Sequence, residues 1–266
     1  MRAVSKILGS FDDKLELNRR MNETLEAMAQ AIFRDWFVDF GPVRRKLAGA
    51  KDPVAVMGRL APDPARAAEL ARLFPDAFGE DELPVGWLLE PVTAFASIKG
   101  GKQLEKQYIL PNGPNPVFGG AGVMGYSTLT NADGYVITVG RVGAYCGQFF
   151  GHRGAAWVNN NASLITPLEG VSSEWLLLAL RHSDIDLIKR GAAQPFVSNG
   201  DVGNLPMVAP GPPVLEAFAA LIGPLFLMSE AHDAEAKTLG ETRDYLLPRL
   251  MSGEVRVGDA ALEIAA

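Results

Sequence analysis

The sequence predicts an α+β fold in which one mixed domain is flanked by two long helices that pair as an antiparallel coiled coil, within one chain or between two. Three observations carry this reading. Apolar residues near each end of the 266-residue chain recur at spacings of 3 and 4, the stripe of an amphipathic helix. Between those ends, short apolar runs such as "YVITVGRV", "AYCGQFF", "AAWV" and "SLIT" are bounded by Gly, Asn or Pro, as strands are. One helical run, "SSEWLLLALRHSDIDLIKR", interrupts those strands.

The first helix is expected over 4–40, where Val4, Leu8, Phe11, Leu15, Leu25, Ala29, Ile32 and Trp36 keep to one face. Asn18 and Asn22 interrupt that stripe. They are either a mid-helix irregularity covered by Met21 and Met28 or a polar pair that fixes register with a partner helix. Gly41 and Pro42 should end the helix, Gly as the C-cap and Pro as the residue that cannot continue it. Residues 1–42 therefore form a helical region, and 43–84, rich in Pro, Ala and Gly, a linker with a short helix near 64–73.

The mixed domain spans 85–210. Its helix should begin at Ser172 or Ser173 as N-cap, with Glu174 in the first turn to complement the helix dipole. A second helical region covers 211–258, with Val214, Phe218, Leu221, Leu225, Met228, Leu239 and Leu246 on one stripe, Pro224 as a kink, and a tail at 259–266. Laying Ile7 over Leu221 matches "ILGS" with "LIGP" and, without a gap, "ETLEA" with "KTLGE". The matches are few and helical sequences often resemble one another by chance; the other reading is an internal repeat of the helix on both sides of one domain.

Charge and composition limit the function classes. With 48% hydrophobic residues the chain has ample material for a core. The net charge of −6 is uneven: 85–210 is balanced, whereas 211–266 holds 9 acidic and 4 basic residues. Such a chain lacks the basic footprint of proteins that bind DNA strongly alone. Cys146, the one cysteine, reads as a buried thiol, and His152, His182 and His232 are scattered without ligand spacing, so neither a disulfide framework nor a metal site is expected. No run approaches roughly 18 uninterrupted apolar residues and no export signal opens the chain, which points away from membranes and to the cytoplasm.

Catalytic motifs fare poorly. "FGGAG" (118–122) matches the glycine turn of many methyltransferases, and "NPVF" (115–118) looks like their adenine-directed loop, but the two share Phe118. A cofactor turn and a catalytic loop belong to different strand ends, so an adenine methyltransferase is disfavoured; a glycine-rich turn in a β-rich domain explains the segment better. Phosphate-loop, nucleophile-elbow and zinc-protease patterns are missing.

The run "DDKLELNRRMNETLEAMAQAIFRDWFVDFGPVR", the pair "LFPDAF" and "LPVGW", and the closing "TRDYLLPRLMSGEV" resemble the specificity (S) subunit of type I restriction-modification systems. The resemblance covers nearly the whole chain and is looser in the middle. It implies a non-catalytic subunit without a cofactor that selects the DNA sequence for separate methyltransferase (M) and endonuclease (R) subunits. A full S subunit has two target recognition domains, each followed by a conserved helical region. This sequence offers one such domain at 85–210 between two helical regions, a half-length form, so a two-part site would take a homodimer joined through the terminal helices. The helices would then act as a ruler, since roughly 36 residues span on the order of 50 Å. A truncated remnant that only occupies M subunits is the alternative.

Under that resemblance, DNA-facing candidates follow from side-chain chemistry. Lys99, Lys102, Gln103 and Lys106 cluster around "SIKGG", and Arg141 and Arg153 flank a strand pair; each suits a phosphate or a guanine edge. Gln103, Gln194, Asn199 and the triplet Asn159, Asn160 and Asn161 suit adenine, while Tyr126 is either a stacking group or a core residue. Each also has a plain reading as solvated surface or turn cap. For the M-subunit interface the candidates are Leu25, Ile32, Phe33, Trp36, Phe37 and Phe40 on the first helix, and Leu239, Tyr245 and Leu246 on the last, because aromatic residues are enriched in interface cores. Packing of the two helices on each other competes for the same residues.

Overall fold

A computed structural model of the protein describes residues 2–61, 63–191, 195–252 and 254, with side chains from residue 8 onward. The side chain of Val4, the candidate Gln194 and the tail 259–266 lie outside the described residues. The helices, in chain order, are α1 (Arg2–Phe37), α2 (Gly41–Leu47), α3 (Pro53–Val56), α4 (Pro64–Arg72), α5 (Ser173–His182), α6 (Asn199–Gly203) and α7 (Pro212–Ser252). The strands are β1 (Leu88–Pro91), β2 (Ala96–Gly100), β3 (Asn115–Gly119), β4 (Gly122–Ser127), β5 (Tyr135–Gly140), β6 (Phe149–Arg153), β7 (Trp157–Val158), β8 (Ala162–Pro167) and β9 (Pro206–Ala209). The chain divides into two compact units, residues 1–32 with 221–266, and residues 33–220.

The first unit is a helix pair. Phe11, Leu246 and Leu250 form a buried cluster, with Leu8 and Leu239 packed against it. Further along, Arg243 pairs with Asp12 at 2.9 Å and Lys14 with Glu235 at 3.2 Å. Asn18 bonds to Glu235 and Asn22 to Asp233, each at 2.7 Å. Numbers rise on α1 as they fall on α7, so the two run antiparallel. Asn18, only 1% exposed, and Asn22 therefore occupy the seam as a polar pair facing a partner helix, while Met21 and Met28 are exposed and cover nothing. On α7 the seam position expected for Met228 belongs instead to Ser229, whose carbonyl accepts from Asn22 at 3.2 Å.

In the second unit α1 ends earlier than expected and for a different reason. Phe40, not Gly41, takes the left-handed conformation (φ 51), and Gly41 and Pro42 open α2 instead of closing α1. A Cβ at Gly41 would overlap the carboxylate of Asp35, which Arg45 grips with two hydrogen bonds of 2.7 and 2.8 Å, so a side chain there would displace that ion pair. The stretch read as a linker holds two short helices besides the end of α2: Asp52 and Asp63 cap α3 and α4 through backbone N–H groups, each followed by a proline suited to the first helical turn.

Phe33, Trp36, Phe37 and Phe40 are all buried, 0–9% exposed. Trp36 meets Phe74 edge-on at 4.9 Å and Phe218 at 5.6 Å, and Phe37 meets Trp87 at 5.9 Å and Trp175 at 6.3 Å. This corrects their assignment to an M-subunit surface, because residues sealed in the chain's own core are not free to bind a partner. Leu25, Ile32 and Leu246 are likewise buried and Leu239 is half-buried, which leaves Tyr245 as the exposed member of that set. Helix α7 has a stretch of mean hydropathy 1.6, long and apolar enough by composition alone to cross a membrane, as core helices of soluble proteins also are. Its Val214, Leu215, Ala217 and Phe218 are buried.

Three small sheets complete this unit. Strands β2, β8, β5 and β6 form an antiparallel sheet in that order, β4, β3 and β7 a second, and β1 pairs with β9. The β1–β9 ribbon matches Leu88 with Ala209, so the chain enters and leaves this domain side by side. Ser172 caps α5 by accepting from the Trp175 N–H at 3.3 Å, and Trp175 to Leu180 are buried. Cys146 is buried, its thiol donating to the Arg141 carbonyl at 3.4 Å and pushed toward the neutral form by burial.

Candidate nucleic-acid interface

The four-stranded sheet decides which chemistry meets. Strand β8 runs antiparallel to both neighbours, and Ser163 faces Gly100 on one side and Val139 on the other. The carboxyl ends of β2 and β5 therefore emerge at the same end of the sheet. Lys99 sits near one end and Arg141 follows the other.

Glycines let the loops there close on each other. A Cβ on Gly101 would overlap the Asn159 carbonyl and come within 2.6 Å of the Val158 oxygen. The backbone uses that proximity: Gly101 N–H donates to Ala162 O and Lys102 N–H to Val158 O, both at 2.9 Å. Asn159 is 4% exposed, and its side-chain oxygen accepts from the backbone of Asn160 (2.8 Å) and Leu104 (3.3 Å). It organises the turn, and base pairing with adenine is closed to it. Asn160 and Asn161 stay exposed, and the Asn161 carbonyl accepts from the Arg141 N–H at 2.9 Å.

Asn199 joins the same place from α6. A capping box fixes that helix start: Ser198 Oγ accepts from the Asp201 N–H at 3.1 Å and Asp201 Oδ2 from the Ser198 N–H at 3.0 Å. The Ser198 bonds, with the charge of Arg190 adding to them, hold the Asp201 carboxyl below its ordinary range. Ser163 Oγ donates to Asn199 Oδ1 at 2.5 Å. A Cβ on Gly100 would lie 3.6 Å from Arg141 Nη1 and 3.7 Å from Asn199 Nδ2, so a glycine notch separates these two donors.

The electrostatics follow the same division. Of the eight basic residues in 85–210, Arg153 pairs with Glu174 (2.8 Å), Lys189 with Asp186 (2.7 Å), Arg190 with Asp201, and Arg181 donates to the Phe149 carbonyl. Lys99, Lys102 and Arg141, with Lys106 in the 3-10 turn that follows, form no ion pair among the described residues. Three of these four, Lys99, Lys102 and Arg141, belong to one sheet end. Arg153, with its guanidinium 5.0 Å from the Tyr135 ring centroid, is engaged by Glu174 of α5 and so is set apart from the cations without an ion pair. Gln103 is exposed beside Lys102, whereas Tyr126 lies half-buried in the other sheet, its backbone paired with Leu110.

Apolar groups that sequence reasoning did not select border this end. Val142 and Phe196 face each other in an isolated bridge and are 41% and 42% exposed, and Tyr145 is 52% exposed. An aromatic inside a polar loop, as in "QPFVSNG", was the signal available. No three His, Cys, Asp or Glu side chains come together as a metal cage among the described residues.

No family model matches the chain. Among curated proteins, the Type I restriction enzyme HindI specificity subunit of Haemophilus influenzae is 28% identical over 95% of this chain and 66% of its own. The MjaIX specificity subunit of Methanocaldococcus jannaschii is 21% identical over 96% of this chain and 58% of its own. The curated homologues of this chain are type I restriction specificity subunits. The fold agrees: a type I restriction-modification S subunit from M. genitalium superposes with a TM-score of 0.63 at 15% identity, over 93% of this chain and 59% of that one. The chain thus spans about two thirds or less of the length of these specificity subunits. The α+β fold of this chain, with its long helices α1 and α7, is shared with the matched part of that S subunit.

Proposed function

We propose that this chain is a DNA-reading specificity subunit of a type I restriction-modification complex, non-catalytic itself, which brings methyltransferase and endonuclease subunits to a target in the cytoplasm. One observation carries the reading: Lys99, Lys102 and Arg141, which form no ion pair among the described residues, gather with exposed amides and aromatics at one sheet end, and Lys106 follows in the next turn. Exposed lysines suit phosphates and set register on the duplex, while recessed amides and guanidinium suit base edges. The chain's net negative charge means that partners would supply much of the non-specific affinity.

A two-part target takes two recognition domains, which two copies of this chain would provide. In the structure α1 already meets α7 of its own chain, so a pair of copies would exchange α7 or join through other surfaces. Exposed apolar side chains available for a second copy or for M subunits include Leu17, Met21 and Met28 on α1 and Leu227, Met228, Tyr245, Leu247 and Met251 on α7. Light scattering of the purified protein tests the pair, and a clean monomer at high micromolar concentration would sink it.

The function is tested by reconstituting the full chain with the methyltransferase subunits of its host and challenging the complex with randomised duplex DNA. Retention of a sequence motif is expected. Binding that is indifferent to sequence would overturn the assignment and leave a remnant that only occupies M subunits.

A further inference from the structure

We infer that Arg141, with Asn199 beside it across the Gly100 notch, reads a guanine of the target, an assignment that rests on the DNA-reading function proposed above. Arg141 differs from the lysines around it. It is half-buried, with Nε shielded from solvent and without a hydrogen-bond partner, and it forms no ion pair among the described residues. The backbone on either side is fixed, since Arg141 N–H donates to Asn161 O and Arg141 O accepts from the Val197 N–H, both at 2.9 Å. Half-buried Arg141 thus stands deeper than Lys99 and Lys102, which are exposed and free to reach phosphates. It meets only a group that enters the notch.

Donor geometry then selects the base. Because Asn199 Oδ1 is taken by the Ser163 hydroxyl, the amide presents its NH2 group toward Gly100, the side on which Arg141 Nη1 also lies. The notch is walled by donors from both sides. In the major groove guanine alone shows two adjacent acceptors, N7 and O6; adenine and cytosine each place a donor there, and thymine a methyl group. Gly100 is what keeps the notch open. Its backbone would accept a side chain, for the two groups a Cβ would meet stand at ordinary contact distance, yet a methyl there fills the space between them.

The test uses the full chain with its host's methyltransferase subunits, selecting from a randomised duplex library at one salt concentration. Wild type is expected to select a motif containing guanine. Arg141→Ala and Gly100→Ala should each lose discrimination at the same guanine, by roughly 5- to 150-fold, and keep the other positions. Arg141→Lys, which retains charge but not the fork, should lose most of it too. Thermal melts should be unchanged in all three variants, because no hydrogen bond among the described residues depends on the Arg141 side chain. If the wild-type motif lacks guanine, or the variants keep every position, or they weaken all sequences equally as a phosphate contact would, Arg141 is not the reader while DNA reading stands. If wild type selects no motif, both assignments fall.

Discussion

Asn18 donates to Glu235 at 2.7 Å and to the His232 carbonyl at 3.3 Å across the helix pair, from a position that is 1% exposed. An amide occupies a seam site where the 3 and 4 spacing calls for an apolar residue, and its own oxygen is buried without a partner. Buried polar groups in helix seams trade stability for a unique register. Asn18→Leu is therefore expected to leave the thermal midpoint unchanged or raise it, while loosening the register. Cysteine cross-linking between positions 14 and 235 reads the register, and a fall in midpoint of more than a few degrees would contradict the trade.

The same layer carries a pH dependence. Hydrogen bonds from Asn18 and then Lys14, with the nearby charges, hold the Glu235 carboxyl below its ordinary range. A carboxylate with a depressed folded pKa adds stability above its unfolded value, about 4, and loses it as the pH falls through the folded value. The helix pair should loosen in acid below about pH 4. Glu235→Gln should remove part of that slope in an acid titration followed by circular dichroism; an unchanged slope would show that other carboxylates carry it.

How much of this was legible in sequence depends on the kind of signal. The helix stripes were, because burial of Phe11, Ala29 and Ile32 follows the 3.6-residue period itself. The polar pair was visible as an interruption, but its partners lie over 200 residues away and periodicity is silent about them. The end of α1 was misjudged because glycine has two uses. Capping is the commoner, whereas Gly41 serves close approach to Asp35, which only tertiary contact reveals. For the candidate interface, residue types identified the cations, yet only strand order brought Lys99 to the same sheet end as Arg141 and only the fold showed Arg153 engaged by Glu174 of α5.

Trp36 gives the correction a number. Fully buried against Phe74 and Phe218, it should cost about 3–5 kcal/mol when replaced by alanine, as large core aromatics do. Denaturant unfolding of the chain alone measures this. A partner-facing tryptophan would instead leave the isolated chain's stability nearly intact.

Neighbouring glycines should behave oppositely. Gly101→Ala drives a methyl into the backbone of 158–159, where nothing flexible can yield, and should destabilise the chain by on the order of 3 kcal/mol. Gly100→Ala meets only side-chain ends at ordinary contact distance and should melt like wild type. Equal midpoints for the two variants would mean that the turn at 158–161 does not hold the sheet end closed.

The exposed lysines are expected to act on affinity without choosing sequence. Each phosphate contact releases about one counterion, so its loss should flatten the slope of log K against log salt by about 0.9. Lys99→Ala, Lys102→Ala and Lys106→Ala should each lower affinity for cognate and random duplexes by the same factor, most strongly at low salt, and leave the selected motif intact. Salt-dependent binding of the reconstituted complex checks this. A lysine whose loss changes the motif while the slope stays fixed would be reading a base edge, and the division of labour between exposed lysines and recessed Arg141 would have to be redrawn around it.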